Sequence, residues 1–328
     1  MKRSPAVLLV LAASCLLLFV ADLCFGGVEI APRTVLAALT GGECPESIRV
    51  IVVHIRLVKA LVALLAGGAL AAAGLQMQTL FRNPLAGPYV LGVSSGASLG
   101  VALFILGAPL IGATSLVSGL GMAGAAWAGA ALILALMGAV ASRIRDIMVI
   151  LILGMMFSSG VSAIVQILQY LSDEDALKSF VIWTMGSLGD VTAAQLWILV
   201  PAVVLGLVLA LAAAKPLNLL LFGEDYARTM GLSAVRARAL LFTSTVLLAG
   251  SVTAFCGPIG FIGLAMPHVA RMFIADSDHR VLMPAAILTG AAVLLACDII
   301  SKFFTVPVNA VTALAGIPVV VWVVMKNR

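Results

Sequence analysis

The sequence has very little charge. Only 10% of its 328 residues are Asp, Glu, Lys or Arg, whereas 63% are hydrophobic, and soluble domains carry about 25% charged residues. A soluble protein could not hide so much apolar surface in one core, and the apolar runs repeatedly reach the roughly 20 residues that a helix needs to cross a bilayer. Because lipid cannot satisfy backbone hydrogen bonds, these runs are predicted to be helices. The chain is therefore expected to be an all-α integral membrane protein.

Signatures of chemistry are also scarce. The five cysteines include no C-x-x-C pair and the three histidines are scattered along the chain, so neither a disulfide framework nor a metal site is predicted. The G-x-S-x-G stretch at 92–96 opens a membrane helix and does not follow a strand, which is the context a nucleophile elbow requires. We therefore predict no catalytic residue and no cofactor bound by this chain.

The sequence offers no obvious site for ion coupling. The acids within apolar runs are Asp22 and Asp298, and both lie near the outer ends of their segments, whereas carriers driven by protons or sodium usually keep ionisable groups near mid-membrane. The chain also contains no G-x-x-x-x-G-K-[ST] phosphate loop. If ATP drives transport, ATP and Mg²⁺ must bind to another polypeptide.

What the sequence does contain is a series of ten apolar segments, which predicts about ten transmembrane helices in one permease domain covering residues 1–328. The segments lie at about 5–25, 57–80, 89–107, 112–140, 147–171, 192–214, 236–256, 258–272, 281–301 and 307–325. Dense small residues in several of them favour tight helix packing over a glycine-lined pore. A weak similarity between 65–74 and 248–257 would fit an inverted repeat.

Ten spans place both termini on one side of the membrane, and basic residues indicate which side. The side with both termini holds thirteen of them: Lys2, Arg3, Arg82, Arg143, Arg145, Lys215, Arg228, Arg236, Arg238, Arg271, Arg280, Lys326 and Arg328. The other side holds six: Arg33, Arg49, Arg56, Lys59, Lys178 and Lys302. The positive-inside rule then places both termini in the cytoplasm. The net charge of +5 thus needs no nucleic-acid partner.

A short charged stretch, GEDYARTMGLSAVRARALL at 223–241, lies between the sixth and seventh segments. Gly223 can cap a helix whose first turn carries Glu224 and Asp225, where acids suit the positive end of the helix dipole, and Gly231 can end it after Arg228. The predicted helix is about two turns long and cannot span a membrane. It is either an interfacial loop helix without a partner or a docking helix that receives force from a soluble motor.

These residues resemble a known family. LFGEDYARTMGLSAVRARALL followed by VTAFCGPIGFIGLAMPHVARMF is similar to the coupling-loop region of FecCD-type permeases, which belong to ABC importers for iron-siderophores, heme and cobalamin. LAGGALAAAGLQMQTLFRNPLAGPYVLGVSSGASLG resembles the second and third spans of that family, and VPVNAVTALAGIPVVVWVV resembles its last span. The resemblance covers nearly the whole chain.

The resemblance implies a homodimeric permease in the bacterial cytoplasmic membrane, surrounded by lipid. Two cytoplasmic ATPase subunits would drive it, and a substrate-binding protein would deliver cargo from outside. The coupling loop would cover about 215–238, and its ATPase-coupling residues would be Gly223, Glu224, Asp225, Ala227, Arg228 and Gly231.

The same resemblance assigns residues to the outer surface and to the path. Arg56, Lys59 and Lys302 correspond to basic residues that pair with acids of the binding protein, although they would serve equally well as interfacial anchors. Asn83 and Leu85 resemble the inner gate, Ile147 and Met148 form a second candidate constriction, and Ser94 and Gly96 are candidate path residues. The alternative for these gate and path residues is ordinary loop and helix packing.

The sequence therefore predicts a transport subunit that catalyses no reaction and moves a large chelate by alternating access. A ferric siderophore is the first expectation for the cargo, and heme or cobalamin is the alternative. The rival function from another class is a secondary carrier or channel that works without ATPases.

Overall fold

The computed structural model describes residues 4–107, 119–144, 146–274 and 276–326. Lys2, Arg3, Arg145 and Arg328, together with the 112–118 part of the fourth predicted segment, lie outside these ranges. Within them all regular secondary structure is helical, which confirms the predicted all-α fold.

Fourteen helices follow one another in the described part of the chain. In chain order they are α1 (Ser4–Cys24), α2 (Pro32–Thr40), α3 (Glu46–Leu80), α4 (Val93–Ile105), α5 (Gly119–Arg143), α6 (Ile147–Leu171), α7 (Glu174–Thr184), α8 (Ala193–Ala212), α9 (Ala214–Leu220), α10 (Glu224–Thr229), α11 (Ala234–Cys256), α12 (Ile262–Phe273), α13 (His279–Phe304) and α14 (Val308–Lys326). By length and composition, seven of the described helices can cross a membrane, namely α1, α3, α5, α6, α8, α11 and α13. With α4, α12 and α14, they account for all ten predicted segments.

Two of the ten are half-length helices that follow irregular backbone. At about 1.5 Å per residue, α4 and α12 are each shorter than the roughly 30 Å of hydrocarbon that a span must cross. The irregular segments 81–92 and 257–261 precede them. Irregular backbone at membrane depth is tolerated only where protein or water surrounds it, and here the Tyr89 hydroxyl donates to the Ile259 carbonyl at 3.0 Å. The two breaks therefore pack together inside the bundle.

Helix α3 forms the centre of the bundle, and every residue from 66 to 80 is buried. Its glycines allow neighbouring helices to approach to backbone contact. A Cβ atom on Gly67 would overlap the Gly290 carbonyl of α13, and one on Gly74 would overlap the Gly263 carbonyl of α12. The small residues of this segment thus serve tight packing.

Polar contacts divide the bundle into two ends. The coupling end contains residues 78–84, 143–144, 146–148, 214–238, 268–274 and 276–280, and the opposite end contains residues 22–56, 172–192 and 298–309. Helix α1 finishes at the opposite end, where its last carbonyls bind Arg56, and α14 begins there, where Asn309 accepts a hydrogen bond from Gly260. The described chain therefore starts and finishes at the coupling end.

The contact between α3 and α12 generates a stability prediction. Gly74→Ala forces the two backbones apart, and we expect a loss of about 1–3 kcal/mol of stability, measured by thermal unfolding in detergent. Gly138→Ala in α5 is the matched control, because nothing lies within 4 Å of its added Cβ atom. Equal unfolding temperatures for the two variants would contradict the packing described here.

Candidate functional site

At the coupling end, α10 is a six-residue helix between two glycines with positive φ. Gly223 is its N-cap with φ of 100°, and Gly231 follows the C-cap residue with φ of 87°. Positive φ is strained for residues that carry a Cβ atom, so both glycines are needed at these positions. Helix α10 begins at Glu224 as predicted, but it ends at Thr229 and is shorter than the predicted two turns.

Glu224 anchors α10 to its surroundings. Its Oε1 accepts a hydrogen bond from Arg228 Nη2 at 2.6 Å, and its Oε2 accepts one from Arg238 Nη2, also at 2.6 Å. Arg238 in α11 is buried, and its Nη1 donates to the Ile144 carbonyl at 2.9 Å. Ala227 is fully buried below α10, whereas Asp225 is exposed. One face of α10 is therefore held firmly against the protein.

The other face of α10 is apolar and open. Phe222 is 70% exposed, Met230 60% and Tyr226 50%, and the rings of Phe222 and Tyr226 have centroids 5.4 Å apart. Apolar side chains grouped on a surface in this way mark an interaction site more often than isolated ones do. The surface made by Phe222, Tyr226 and Met230, together with α10, is the candidate docking surface.

The predicted gate residues also lie at the coupling end. Asn83 Oδ1 accepts a hydrogen bond from the Leu85 N–H at 2.9 Å, and His268 Nε2 donates to the Pro84 carbonyl at 2.7 Å. These bonds fix the turn that leads into the irregular segment before α4. Leu85 and Met148 are about half exposed, and Ile147 is partly buried.

A second polar network joins the start of the coupling loop to α3 and α13. Asn218 in α9 donates to Asp278 Oδ1 at 2.6 Å and accepts from the backbone N–H of His279 at 2.9 Å. His279 Nε2 lies 2.8 Å from Thr79 Oγ1 of α3. The hydrogen bond from the Arg280 N–H, followed by that from Asn218, lowers the pKa of the Asp278 carboxyl. Sequence reasoning missed this network, because its members are far apart in the chain.

A polar groove of about 270 Å³ lies between α4, α6 and α7. Its wall includes the predicted path residue Ser94 and several other neutral hydrogen-bonding side chains: Ser95, Ser98, Ser162, Gln166, Gln169 and Thr184. Gly96 has a different role, because a Cβ atom there would overlap the Gly129 carbonyl of α5. The structure thus shows a packing role for Gly96, and its path role stays a prediction.

The groove continues into an exposed polar face on α6. Ser159, Ser162 and Gln166 are all exposed, and their spacing of three and four residues places them on one side of the helix. Polar side chains within membrane helices usually face water or other protein and not lipid. This face of α6 is the candidate wall of a translocation path.

At the opposite end, Arg56 is an internal anchor. Its side chain donates to the carbonyls of Leu23 at 2.9 Å, Cys24 at 2.7 Å and Val28. Only 5% of Arg56 is exposed. The predicted docking residue therefore closes the end of α1, where the last helical carbonyls have no partner within the helix.

Lys59 and Lys302 belong to a buried ion cluster with two acids. Lys302 Nζ lies 2.7 Å from Asp22 Oδ1 and 3.0 Å from Asp298 Oδ2, and Lys59 Nζ lies 3.0 Å from Asp298 Oδ1. Both acids are fully buried, whereas the lysine side chains are 21% exposed for Lys59 and 10% for Lys302. The pairing explains how the two acids are tolerated within apolar segments. Of these partners, only Asp298 and Lys302, four residues apart on a helix, could be matched from sequence spacing.

A cavity of about 270 Å³ opens beside this cluster. Arg56, Lys59 and Lys302 line it together with apolar residues that include Phe25 and Ile55. The three predicted docking residues thus meet at one cavity, although each already has a partner inside the chain. Docking of a binding protein at these residues stays a prediction.

The polar face of α6 generates a labelling prediction. Ser159→Cys should react with a membrane-impermeant thiol reagent, because its side chain is expected to face water. Val204→Cys in α8 is the control, because Val204 is also exposed and close to mid-helix but lies among apolar neighbours. The unsubstituted chain reports the reaction of its five native cysteines. Equal labelling of the two variants would show that the α6 face does not border water.

Comparisons with known proteins agree with this architecture. The model of the FecCD transport family matches residues 14–326. Two vitamin B12 import system permease proteins, BtuC from Salmonella paratyphi A and BtuC from Citrobacter koseri, are each 36% identical to this chain. The match to the Salmonella protein covers 99% of this chain and 97% of the relative. The match to the Citrobacter protein covers 100% of this chain and 96% of the relative. A solved structure also superposes on this chain with a TM-score of 0.84 and 28% sequence identity. It is described as an inward-facing conformation of an ABC transporter assigned to the metal-chelate type, and the match covers 98% of this chain and 99% of that chain. The chain therefore belongs to the FecCD transport family and is a multi-pass permease subunit of the ABC importer type.

Proposed function

We propose that two copies of this chain form the membrane channel of an importer that two cytoplasmic ATPase subunits drive. ATP and Mg²⁺ bind to those subunits, and closure of the ATPase pair pushes the α10 helices. The push switches the path between outward-open and inward-open states. The observation that carries this proposal is the structure of α10. One face of this helix is apolar and exposed, and the other face is held to the protein through Glu224 and Arg238.

The charge distribution supports a cytoplasmic position for the coupling end. The basic residues there include Arg82, Arg143, Lys215, Arg228 and Arg236, and basic residues concentrate in cytoplasmic loops. Both ends of the described chain lie at this same end. The opposite end, with its ion cluster, then faces the exterior of a bacterial cytoplasmic membrane.

The polar face of α6 supports a homodimer with the path between the copies. Seen in one chain, Ser159, Ser162 and Gln166 would face lipid. The two serine hydroxyls donate to the Met155 and Ser158 carbonyls of the same helix, so this exposure is unfavourable chiefly for the Gln166 amide. A second copy related by two-fold symmetry places the two α6 faces opposite each other, as an isologous interface requires. Neutral hydroxyl and amide groups would then line the path, and they can release cargo more readily than fixed charges.

A substrate-binding protein would dock at the opposite end. Its carboxylates would enter the cavity beside Lys59 and Lys302 and share these cations with Asp22 and Asp298. Pairs near a surface are worth about 0.2–1 kcal/mol each, so they orient the partner more than they hold it.

The cargo is an organic metal chelate. A corrinoid is the first candidate, because the similar curated permeases from Salmonella and Citrobacter are named for vitamin B12 import. The ferric siderophore expected from the sequence stays an alternative, as does heme. The described path residues are neutral, so they recognise no particular charge on the cargo.

The docking surface generates a prediction for ATPase assembly. Met230→Asp places a charge on the apolar face of α10 and should remove most of the Mg-ATP hydrolysis that co-purifies with the tagged chain. Met185→Asp is the matched control, because Met185 is also exposed but lies at the opposite end. Uptake without any co-purifying ATPase would instead favour an ATPase-independent carrier.

The cargo is tested through the binding protein that co-purifies with the importer. We expect that protein to retain a cobalt corrinoid, seen as cobalt in elemental analysis and as corrin absorption in the visible spectrum. Iron with siderophore absorption, or the Soret band of heme, would replace the corrinoid assignment and leave the importer assignment intact.

A further inference from the structure

We propose that Arg238 is a positioning residue that transmits the displacement of α10 to the start of α6. The inference rests on the proposed function, in which force enters at α10. It adds a route for that force, which runs from Glu224 through the Arg238 guanidinium to the Ile144 carbonyl.

The geometry of Arg238 suits a mechanical link. One guanidinium nitrogen holds Glu224 at 2.6 Å and the other holds the Ile144 carbonyl at 2.9 Å. The guanidinium is planar and delocalised, so its two terminal nitrogens, Nη1 and Nη2, cannot move independently of each other. The Arg238 side chain is 7% exposed, and bonds shielded from water in this way are electrostatically stronger than surface pairs. A displacement of Glu224 therefore pulls on Ile144.

Ile144 follows the last residue of α5, where its N–H donates to the Val140 carbonyl at 3.1 Å, and α6 begins three residues later at Ile147. Asp146 caps α6 by accepting a hydrogen bond from the Met148 N–H at 2.8 Å, so Asp146, two residues after Ile144, is held to the start of the helix. Helix α6 has 25 residues, of which Ile150, Gly154, Val161 and Val165 are buried. Its other residues are exposed or partly exposed, so its packing within the chain is confined to one face. Helix shifts of about 1–2 Å are usual in transitions of this kind.

Helix α6 would carry the displacement to the candidate path. Helix α6 carries the polar face of Ser159, Ser162 and Gln166, and its first turn carries the gate candidates Ile147 and Met148. It also packs against the irregular segment 81–92, because a Cβ atom on Gly154 would overlap the Val90 carbonyl. A shift of α6 therefore displaces the second candidate constriction directly, and through this contact it also reaches the segment that carries the inner-gate candidates Asn83 and Leu85.

The covalent chain offers no comparably short route. Along the chain, α10 is joined directly to α9 and α11, whereas α7, α8 and α9 lie between α6 and α10 in sequence. The bond from Arg238 to Ile144 spans 94 residues of sequence. It therefore joins two elements that could otherwise move apart when the ATPase pushes α10.

The test uses the chain with its co-purified ATPase in a Met148→Cys background, where the rate at which the introduced thiol reacts with a thiol reagent reports on the gate. ATP binding should change that reaction rate in the parent chain. In Arg238→Met, we expect Mg-ATP hydrolysis to stay within about twofold, whereas the ATP-dependent change in thiol reaction falls at least about fivefold, the smallest coupling usual between linked sites. Retained hydrolysis with lost gating is an effect that simple unfolding would not produce.

Two further variants complete the test. Arg236→Met is the matched control, since Arg236 lies two residues away on the same helix and is exposed, and it should behave as the parent chain. Arg238→Lys keeps the charge but replaces the rigid fork, in which each terminal nitrogen holds one partner, by a single ammonium on a flexible stem, so we expect it to lose gating as Arg238→Met does. If Arg238→Met fails to purify, Arg238→Lys decides the question.

The outcomes separate this proposal from the proposed function. Full ATP-dependent gating in Arg238→Met or Arg238→Lys would overturn the transmission route while the importer assignment stands. Loss of gating in Arg236→Met as well would overturn the specific role of Arg238. A parent chain that carries no ATPase would contradict the proposed function and this proposal with it.

Discussion

The fold depends on the need to enclose broken backbone at membrane depth. The segments 81–92 and 257–261 leave peptide groups without helical partners, and lipid offers none. They are tolerable because they lie against α3 and against each other. Gly74 contributes to this arrangement, because it allows backbone contact between α3 and α12. The half-length helices α4 and α12 follow from the same constraint, since the breaks occupy part of the depth that two full spans would fill.

A second constraint separates charge from the path. The buried acids Asp22 and Asp298 are paired with lysines at the opposite end, and Glu224 is held by arginines at the coupling end. The candidate path between these ends carries hydroxyl and amide side chains. Charges therefore fix the positions of helix ends, and the neutral face of α6 is left for a large cargo.

The sequence predicted the elements whose signal is local. Apolar length predicted the long spans, and the glycines around Glu224 predicted α10 with nearly correct boundaries, because capping depends on neighbouring residues. The sequence could not predict contacts between residues that are far apart in the chain. No local pattern indicates that Arg238 binds Ile144 or that Asn218 binds His279. Arg56 shows the same limit, since the resemblance assigned it to docking of a binding protein at the outer surface and only the fold reveals that it binds the carbonyls at the end of α1.

The position of the ionisable groups also bears on where transport energy enters. A carrier coupled to an ion gradient needs a titratable or ion-binding group that the path exposes in turn to both sides. In the described residues, the acids of the membrane helices are paired with lysines at the opposite end. Neither of them lies on the candidate path, so neither can serve as the ion-coupling group. The candidate docking surface around Met230, by contrast, is apolar and exposed, and α10 is joined through Glu224 and Arg238 to the Ile144 carbonyl between α5 and α6. A mechanical input at the coupling end is the drive that this arrangement accommodates.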